Sequence, residues 1–491
     1  MPDLVLAIDQ GTTGSTVLII DTKLNVVARG YQEYRQIYPK PGWVEHDPAD
    51  IWGSVEAALR MALAAPGMSA ERIAAIGITN QRETSIVWNR RTGAPYHNAI
   101  VWQCRRTADI CREMKEQGLE DLFARKTGLL LDPYFSGTKV RWLFENVDGL
   151  EAEAREGRVA FGTVDTFLVW RLTGGAHVTD VSNASRTLML NLETLNWDGE
   201  LQELLHVPGN ILPEVLDSSH IYGHTKGLAT LPDGIPVSGI AGDQQAALFG
   251  QACFEPGMAK CTYGTGSFTL MNTGAQIVHS KHRLLTTVAW RVRGETAYAL
   301  EGSCFIAGAA VQWLRDGLKA IPASRDVESL AASVPDSGGV VFVPALTGLG
   351  APHWNPDARG VIWGLNRGTT TAHIARATLE GIAWQNYEVF EAMERDFGQK
   401  MTVLRVDGGA SANDLLMQFQ SDILRCPISR PTNVETTAFG AAFLAGLAAG
   451  VWRDKDEVTA VWREDRRFAP SMADADVARH LDLWHEGVRR V

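Results

Sequence analysis

Residues 9–16 read Asp-Gln-Gly-Thr-Thr-Gly-Ser-Thr, an acid followed by glycines and adjacent hydroxyls at the end of an apolar run. Asp9 offers a carboxylate for a counter-cation, Thr12 and Thr13 offer hydroxyl donors, and Gly11 and Gly14 allow close backbone approach. That is the inventory for gripping a phosphate, although an ordinary hairpin accounts for the stretch about as well. A second acid, Asp243 in GIAGDQQAALFG, stands with Gln244 and Gln245 before an apolar helix. A carboxylate at a strand-to-helix turn is placed to accept a hydroxyl proton, and equally to cap a helix. In ITNQRETSIVW the neighbours Arg82 and Glu83 combine a five-donor fork with an acceptor, able to bracket adjacent hydroxyls of a polyol. Exposed, the pair is plain surface; buried, it is costly unless its members serve each other or a ligand. Trp102 in IVWQCRR could wall the C–H face of that polyol or simply fill a core. Tyr134 in DPYFSGTKVRWL could bring a hydroxyl to the same place, ahead of a helix carrying Trp142. LRVDGGASANDLLMQF leads through Gly408 and Gly409 into a helix, a turn that admits a flat ring or an anion and that a cap explains as well.

These residues need strands and helices to bring them together. Leu4–Ile8 and Val17–Ile20 have the β-branched richness of strands. Asp47 and Pro48 read as an N-cap and first helical residue, with Trp52, Val55, Leu59 and Leu63 recurring at helical spacing. IAAIGIT and TSIVWN read as further strands, and strand–helix–strand order indicates an α/β layer architecture. The theme restarts in MAKCTYGTGSFTLMNTG, residues 258–274, where Thr265, Gly266 and Ser267 echo the first loop. Two hydroxyl–glycine hairpins half a chain apart suggest related domains facing each other across a cleft, with chance repetition as the alternative.

The 491 residues are too many for one ordinary core. A net charge of −11 argues against a nucleic-acid surface, which demands clustered Lys and Arg. The run Phe439–Trp452 is broken by glycines and shorter than a membrane needs. No leader precedes the first strand, so a soluble, cytoplasmic protein without membrane insertion is expected. The six cysteines are scattered without metal-ligand spacing, and His279 and His282 have nothing nearby to complete a metal site, so any metal should be a hard cation on carboxylates and phosphates. Neither GxxxxGK[ST] nor GxGxxG after a strand is present.

Taken together, DQGTTGST, GITNQRET, NAIVWQCRRT, DPYFSGTKV, SGIAGDQQAALFGQ, YGTGSF, LEGSCFIAGAAVQWLRD and RVDGGASAN resemble, in order, segments of the FGGY family of carbohydrate kinases. So do YFSGTKVRWLFEN and GVIWGLNRGTTTAHIARATLE, its two signature stretches, and the likeness runs from about residue 4 to 450. NQRET, VWQCRR and AGDQQAALFGQ point to its glycerol-phosphorylating members. The resemblance implies an α/β fold of two ribonuclease H-like (actin- and hexokinase-type) domains, 1–250 and 251–491, with ATP and substrate in the cleft between them. It implies ATP-dependent phosphorylation of glycerol to sn-glycerol 3-phosphate, with Asp243 as general base and Asp9 holding Mg²⁺ through water. Arg82, Glu83, Trp102, Tyr134, Asp243, Gln244 and Phe268 match glycerol-contacting positions. Thr12, Thr13, Gly14 and Thr265 match the phosphate hairpins; Gly308, Gln312, Gly409 and Asn413 match nucleotide positions. A homodimer or homotetramer is the expected assembly. The first loop departs from the family's GTTSSR, with Thr16 where an arginine is common. The loop TKGLATLPDG lacks the Gly-Gly-x-Arg pattern of relatives regulated by a sugar bisphosphate, and the segment from about 465 onward matches poorly. The rival readings are a family kinase for another polyol or keto-sugar, such as erythritol or xylulose, and an actin-like ATPase with no small-molecule acceptor.

Overall fold

The computed structural model describes residues 2–355 and 357–491. The first apolar run forms the strand Leu4–Gln10, which turns tightly through Gly11–Thr13 into an antiparallel strand, Gly14–Asp21. That second strand starts earlier than the apolar run alone suggests, because Gly14, Ser15 and Thr16 already pair with Gln32, Tyr31 and their neighbours in the strand Val26–Glu33. On the other side Leu4–Gln10 pairs in parallel with Ile73–Asn80, which pairs in parallel with Pro236–Gly242. The helix Pro48–Leu63 lies between the third and fourth of these strands in the chain. Its start is the one read from sequence: Asp47 caps Ala49 N and Pro48 fills the first turn, where a missing N–H costs nothing.

The second half repeats the plan. Met258–Tyr263 pairs antiparallel with Ser267–Gly274, which pairs antiparallel with Glu295–Cys304. Met258–Tyr263 also pairs in parallel with Val403–Asp407, and that strand in parallel with Ile428–Pro431. Each unit therefore has five strands in the order 3-2-1-4-5 with identical directions, the ribonuclease H-like arrangement twice over. Ser219–His224 and Leu285–Val292 join the units at one residue pair, Ser219–Val292, and Glu464–Phe468 extends the far edge, giving a 13-stranded sheet among the described residues.

The seam is closed by helices as well as strands. The apolar run near residue 440 is the helix Thr436–Ala449, an interior helix with 11 of 14 residues buried. Among the described residues no helix is long and apolar enough to cross a membrane. This helix packs on Asp243–Gly250 at backbone distance: a Cβ on Gly440 would lie 1.8 Å from Ala246 O, and one on Gly250 1.9 Å from Thr436 O. Its apolar face shares a core with Val5, Ala7 and Leu18 of the first unit. All six cysteines are buried and free.

Candidate active site

The strand register decides which side chains meet. Gln10, Asn80 and Gly242 lie side by side at the carboxyl ends of three parallel strands. The segments just beyond them therefore leave the sheet at one edge: the first hairpin, the Gln81–Glu83 turn and the helix beginning at Asp243. Open α/β sheets place ligands at such an edge.

The first hairpin is closed by Gly11 N donating to Gly14 O at 2.9 Å. Beneath it lies a polar network that fixes its backbone. Tyr34 Oη lies 2.7 Å from both Gly11 O and Thr12 O, Gln36 Nε2 donates to Thr12 O (3.0 Å), and Gln81 Nε2 donates to Gln10 Oε1 (3.1 Å). Buried His46 braces Gln36 at 2.8 Å, and burial lowers its imidazole to about 4, so it stays neutral. Trp102 Nε1 donates to Thr12 Oγ1 at 2.9 Å. That uses an acceptor lone pair of the Thr12 hydroxyl and leaves its O–H free to donate. Thr13 is exposed beside it, and Asp9 pairs with Thr16 across the strands.

Arg82 and Glu83 are buried, at 3% and 1% exposure. Glu83 sits at φ +60°, a backbone bend that turns both side chains inward. The bend is pinned by Ser136 Oγ (3.0 Å) and Lys139 Nζ (3.3 Å), both donating to Glu83 O. Arg82 is more heavily engaged than a free polyol clamp. Nη1 donates to Glu301 Oε2 (2.6 Å) and Gln245 Oε1 (3.2 Å), and Nη2 to Glu301 Oε1 (2.9 Å) and Tyr134 Oη (3.4 Å). Its Nε lies 3.1 Å from Asp243 Oδ1. The longest of these, and so the weakest, is the contact to Tyr134. Trp102 and Tyr134 meet edge to face at 5.5 Å, so both rings stand next to the Arg82 guanidinium and the Thr12 hydroxyl.

Asp243 is the first residue of the helix Asp243–Gly250; the cap position belongs to Gly242. Its carboxylate thus does not cap the helix across a turn. Oδ1 accepts only from the adjacent Gln244 N (2.7 Å) and faces Arg82, with the side chain 35% exposed. Gln244 turns its side-chain oxygen to Lys260 Nζ, which also donates to Thr262 Oγ1 (3.0 Å) and to the carbonyl of half-buried Phe268 (3.3 Å). Asp9 is partly buried; burial first, then the charges of Asp243 and Glu435, hold its carboxyl up at about 7.

The second hairpin is closed in a related way but one residue tighter: Gly264 N donates to Gly266 O at 2.8 Å. Its carbonyls are held by the start of the helix Gly308–Asp316, with Gly308 N to Gly264 O (2.9 Å) and Ala307 N to Thr265 O (2.8 Å). Thr265, Gly308, Gln312, Gly409 and Asn413 all line one cavity of about 420 Å³, walled by Val311, Val327, Leu379 and Leu416. The turn after Asp407 differs from the sequence reading. Gly409–Ala412 is a 3₁₀ turn, and the helix starts only at Asp414 with Asn413 as its cap, Oδ1 accepting from Leu416 N (2.9 Å). Of the Asn413 side chain, the amide N–H₂ is left to donate.

Three residues of this region are not singled out by the sequence reading, although Glu301 falls within LEGSCFIAGAAVQWLRD and Lys260 within MAKCTYGTGSFTLMNTG. Glu301 and Arg186 complete a buried charge network with Arg82 and Glu83, and Lys260 is a fully buried ammonium beside Gln244. Glu301 and Arg186 are separated from Arg82 and Glu83 by more than 100 residues of chain, 219 between Arg82 and Glu301 and 103 between Glu83 and Arg186.

With the geometry in hand, comparison with known proteins is direct. Residues 4–250 match the N-terminal domain of the FGGY family of carbohydrate kinases, and residues 259–449 match its C-terminal domain. The chain belongs to that family. A protein of Myxococcus xanthus named glycerol kinase is 59% identical over 99% of each chain, and glycerol kinase 2 of Thermotoga maritima is 57% identical over 99% of this chain and 98% of its own. The crystal structure of Plasmodium falciparum glycerol kinase with ADP superposes with a TM-score of 0.94 at 37% identity, over 99% of this chain and 98% of that one.

Proposed function

We propose that this chain transfers the γ-phosphoryl group of ATP to glycerol, giving ADP and sn-glycerol 3-phosphate. The observation that carries the reading is a cluster of side chains: a carboxylate with free lone pairs, Asp243, ion-paired at 3.1 Å to Arg82, which also reaches Tyr134, itself edge to face with Trp102, at the sheet edge that bears the first hairpin. Such a cluster suits a small polyol and has no use in a protein-binding ATPase.

Phosphoryl transfer leaves little covalent chemistry to a protein, so alignment and charge neutralisation dominate. Arg82, Glu83 and Tyr134 would hold glycerol hydroxyls, with Trp102 and Phe268 as apolar walls and Gln244 at the rim. One terminal hydroxyl is then aimed at the γ-phosphorus, and Asp243 accepts its proton as the new oxygen–phosphorus bond forms. Thr12, Thr13, Gly14 and Thr265 would donate to the phosphates from two sides, while Gly308, Gln312, Gly409 and Asn413 would line the nucleotide cavity. Mg²⁺ fits the donors present. Asp9 faces other anions, so a divalent cation would restore its charged form, and one carboxylate plus waters and phosphate oxygens suits that ion. When bound, the ion neutralises charge on the phosphates.

In this reading residues 1–250 form the glycerol and first-hairpin domain and 251–491 the nucleotide domain. The protein would work in the cytoplasm, as a homodimer or homotetramer. Phosphorus NMR of a reaction with Mg²⁺-ATP and glycerol tests the chemistry. A new phosphomonoester beside ADP, which a stereospecific assay identifies as the sn-3 enantiomer, is expected; inorganic phosphate beside ADP with no phosphomonoester would refute transfer to glycerol.

A further inference from the structure

At the proposed glycerol site lie two guanidiniums and two carboxylates, each at most 3% exposed. Glu301, on the strand Glu295–Cys304, meets Arg82 through two parallel bonds, from Nη1 (2.6 Å) and Nη2 (2.9 Å). Arg186 donates Nε to Glu83 Oε1 (2.7 Å) and Nη2 to Glu301 Oε1 (3.0 Å). Its guanidinium also lies over the Tyr134 ring at 5.7 Å and the Phe135 ring at 5.2 Å. The formal charges cancel, and every member touches another. Burial pushes the Glu301 carboxyl up, but Arg186 and Arg82 outweigh it and hold the group at about 2, so it is charged at any physiological pH.

Core stability alone does not account for this arrangement, because four well-packed apolar side chains commonly serve a core as well or better. A fork-to-fork pair does something an apolar contact cannot: it fixes the plane and roll of a guanidinium. We propose that Glu301 and Arg186 are positioning residues for polyol recognition. Glu301 presents Arg82 so that its Nε edge meets Asp243 and its Nη2 corner meets the hydroxyl site. Arg186 holds one oxygen of Glu83 and leaves the other for substrate, while backing the ring of Tyr134. Glu301 lies in the segment matching the C-terminal family domain, and Arg82, Glu83 and Arg186 in the N-terminal one. The glycerol site is therefore completed by the half that carries the nucleotide cavity.

The inference rests on Arg82 and Glu83 being the polyol-holding pair, so Arg82→Ala belongs in the same experiment. Full-length wild type, Arg82→Ala, Glu301→Gln, Glu301→Asp and Arg186→Lys are compared by ADP release and thermal melting. KM for glycerol, KM for ATP and kcat are determined separately, and propane-1,3-diol, which lacks the 2-hydroxyl, is run beside glycerol. Glu301→Asp keeps the charge but withdraws the carboxylate by about 1.5 Å, so it is the variant that decides if Glu301→Gln does not fold. The expected result for Glu301→Asp and Arg186→Lys is a glycerol KM raised about tenfold, an ATP KM within about twofold, and a reduced preference for glycerol over the diol. If Arg82→Ala impairs glycerol use while these variants leave glycerol KM unchanged, or if they alter both KM values and kcat only in step with the melting temperature, the positioning role is overturned. If Arg82→Ala itself leaves glycerol KM unchanged, the assignment of the site fails and this inference falls with it.

Discussion

In the proposed reaction the chemistry turns on single side chains, each held by its surroundings. Asp243 has its neighbours on one oxygen and an accessible edge, so Asp243→Asn should keep the fold and nucleotide binding while lowering kcat by about 10²–10⁴-fold, the range for loss of a general base. Steady-state ADP release together with calorimetric ATP binding checks this, and near-normal turnover would remove Asp243 from that role. Trp102 offers a more selective test, because its ring meets Tyr134 while its N–H is spent on Thr12. Trp102→Phe keeps an apolar wall but frees the Thr12 hydroxyl from its donor. ATP KM should rise about fivefold, the value of one hydrogen bond, with glycerol KM nearly unchanged; a rise in glycerol KM alone would contradict the link. At this scale the sequence made candidates legible wherever the reactive groups are chain neighbours, as in Asp9 to Gly14 or Arg82–Glu83, and the structure brings Arg82 to Asp243. The sequence did not single out Glu301 or Arg186, because ordinary-looking charged residues acquire meaning only from partners brought up by the fold: Arg82 and Glu301 are 219 residues apart.

The elements hold these side chains by close backbone approach and by buried polar networks. Gly308 shows the first: a Cβ there would stand 2.6 Å from Gly264 O, a backbone atom that cannot swing aside. Gly308→Ala should therefore displace the second hairpin and raise ATP KM by about tenfold or more, leaving calorimetric glycerol binding intact; an unchanged ATP KM would show that the hairpin tolerates the shift. Asp165, in the helix Val164–Thr173, shows the second. Its carboxylate accepts from Thr163 Oγ1 (2.5 Å) and Thr179 Oγ1 (2.7 Å). Burial, reinforced by Asp180, raises its carboxyl to about 7. The folded state thus keeps a proton that the unfolded chain releases near pH 4, and the associated stability is full below that value and lost as pH rises to about 7. Asp165→Asn escapes this loss, so its stability relative to wild type should improve between pH 5 and pH 8, by on the order of 2 kcal/mol in denaturant titrations. Equal differences at both pH values would contradict it. Element starts were legible where one residue dictates them, as at Asp47–Pro48. The late start of the Asp414 helix was not, since a glycine pair permits a 3₁₀ turn as readily as a cap.

At the scale of the whole molecule, the 13-stranded sheet contains two copies of a five-strand plan, and both copies present a hydroxyl–glycine hairpin at a strand end, which the proposed reaction uses as its two phosphate-holding loops. The repetition was legible from Thr12–Gly14 and Thr265–Ser267. The joining of the copies through Ser219–Val292 and the interior helix Thr436–Ala449 was not, because a run of Ala, Gly and Phe has no face that tells a seam from a core. The central claim concerns the whole assembly: a family kinase whose site selects glycerol. It is tested most directly by coupled ADP release with Mg²⁺-ATP against glycerol, erythritol, xylulose, ribulose and no acceptor. Release that requires glycerol, with little from the others, is the expected result; release driven equally well by another polyol, or without any acceptor, would contradict it.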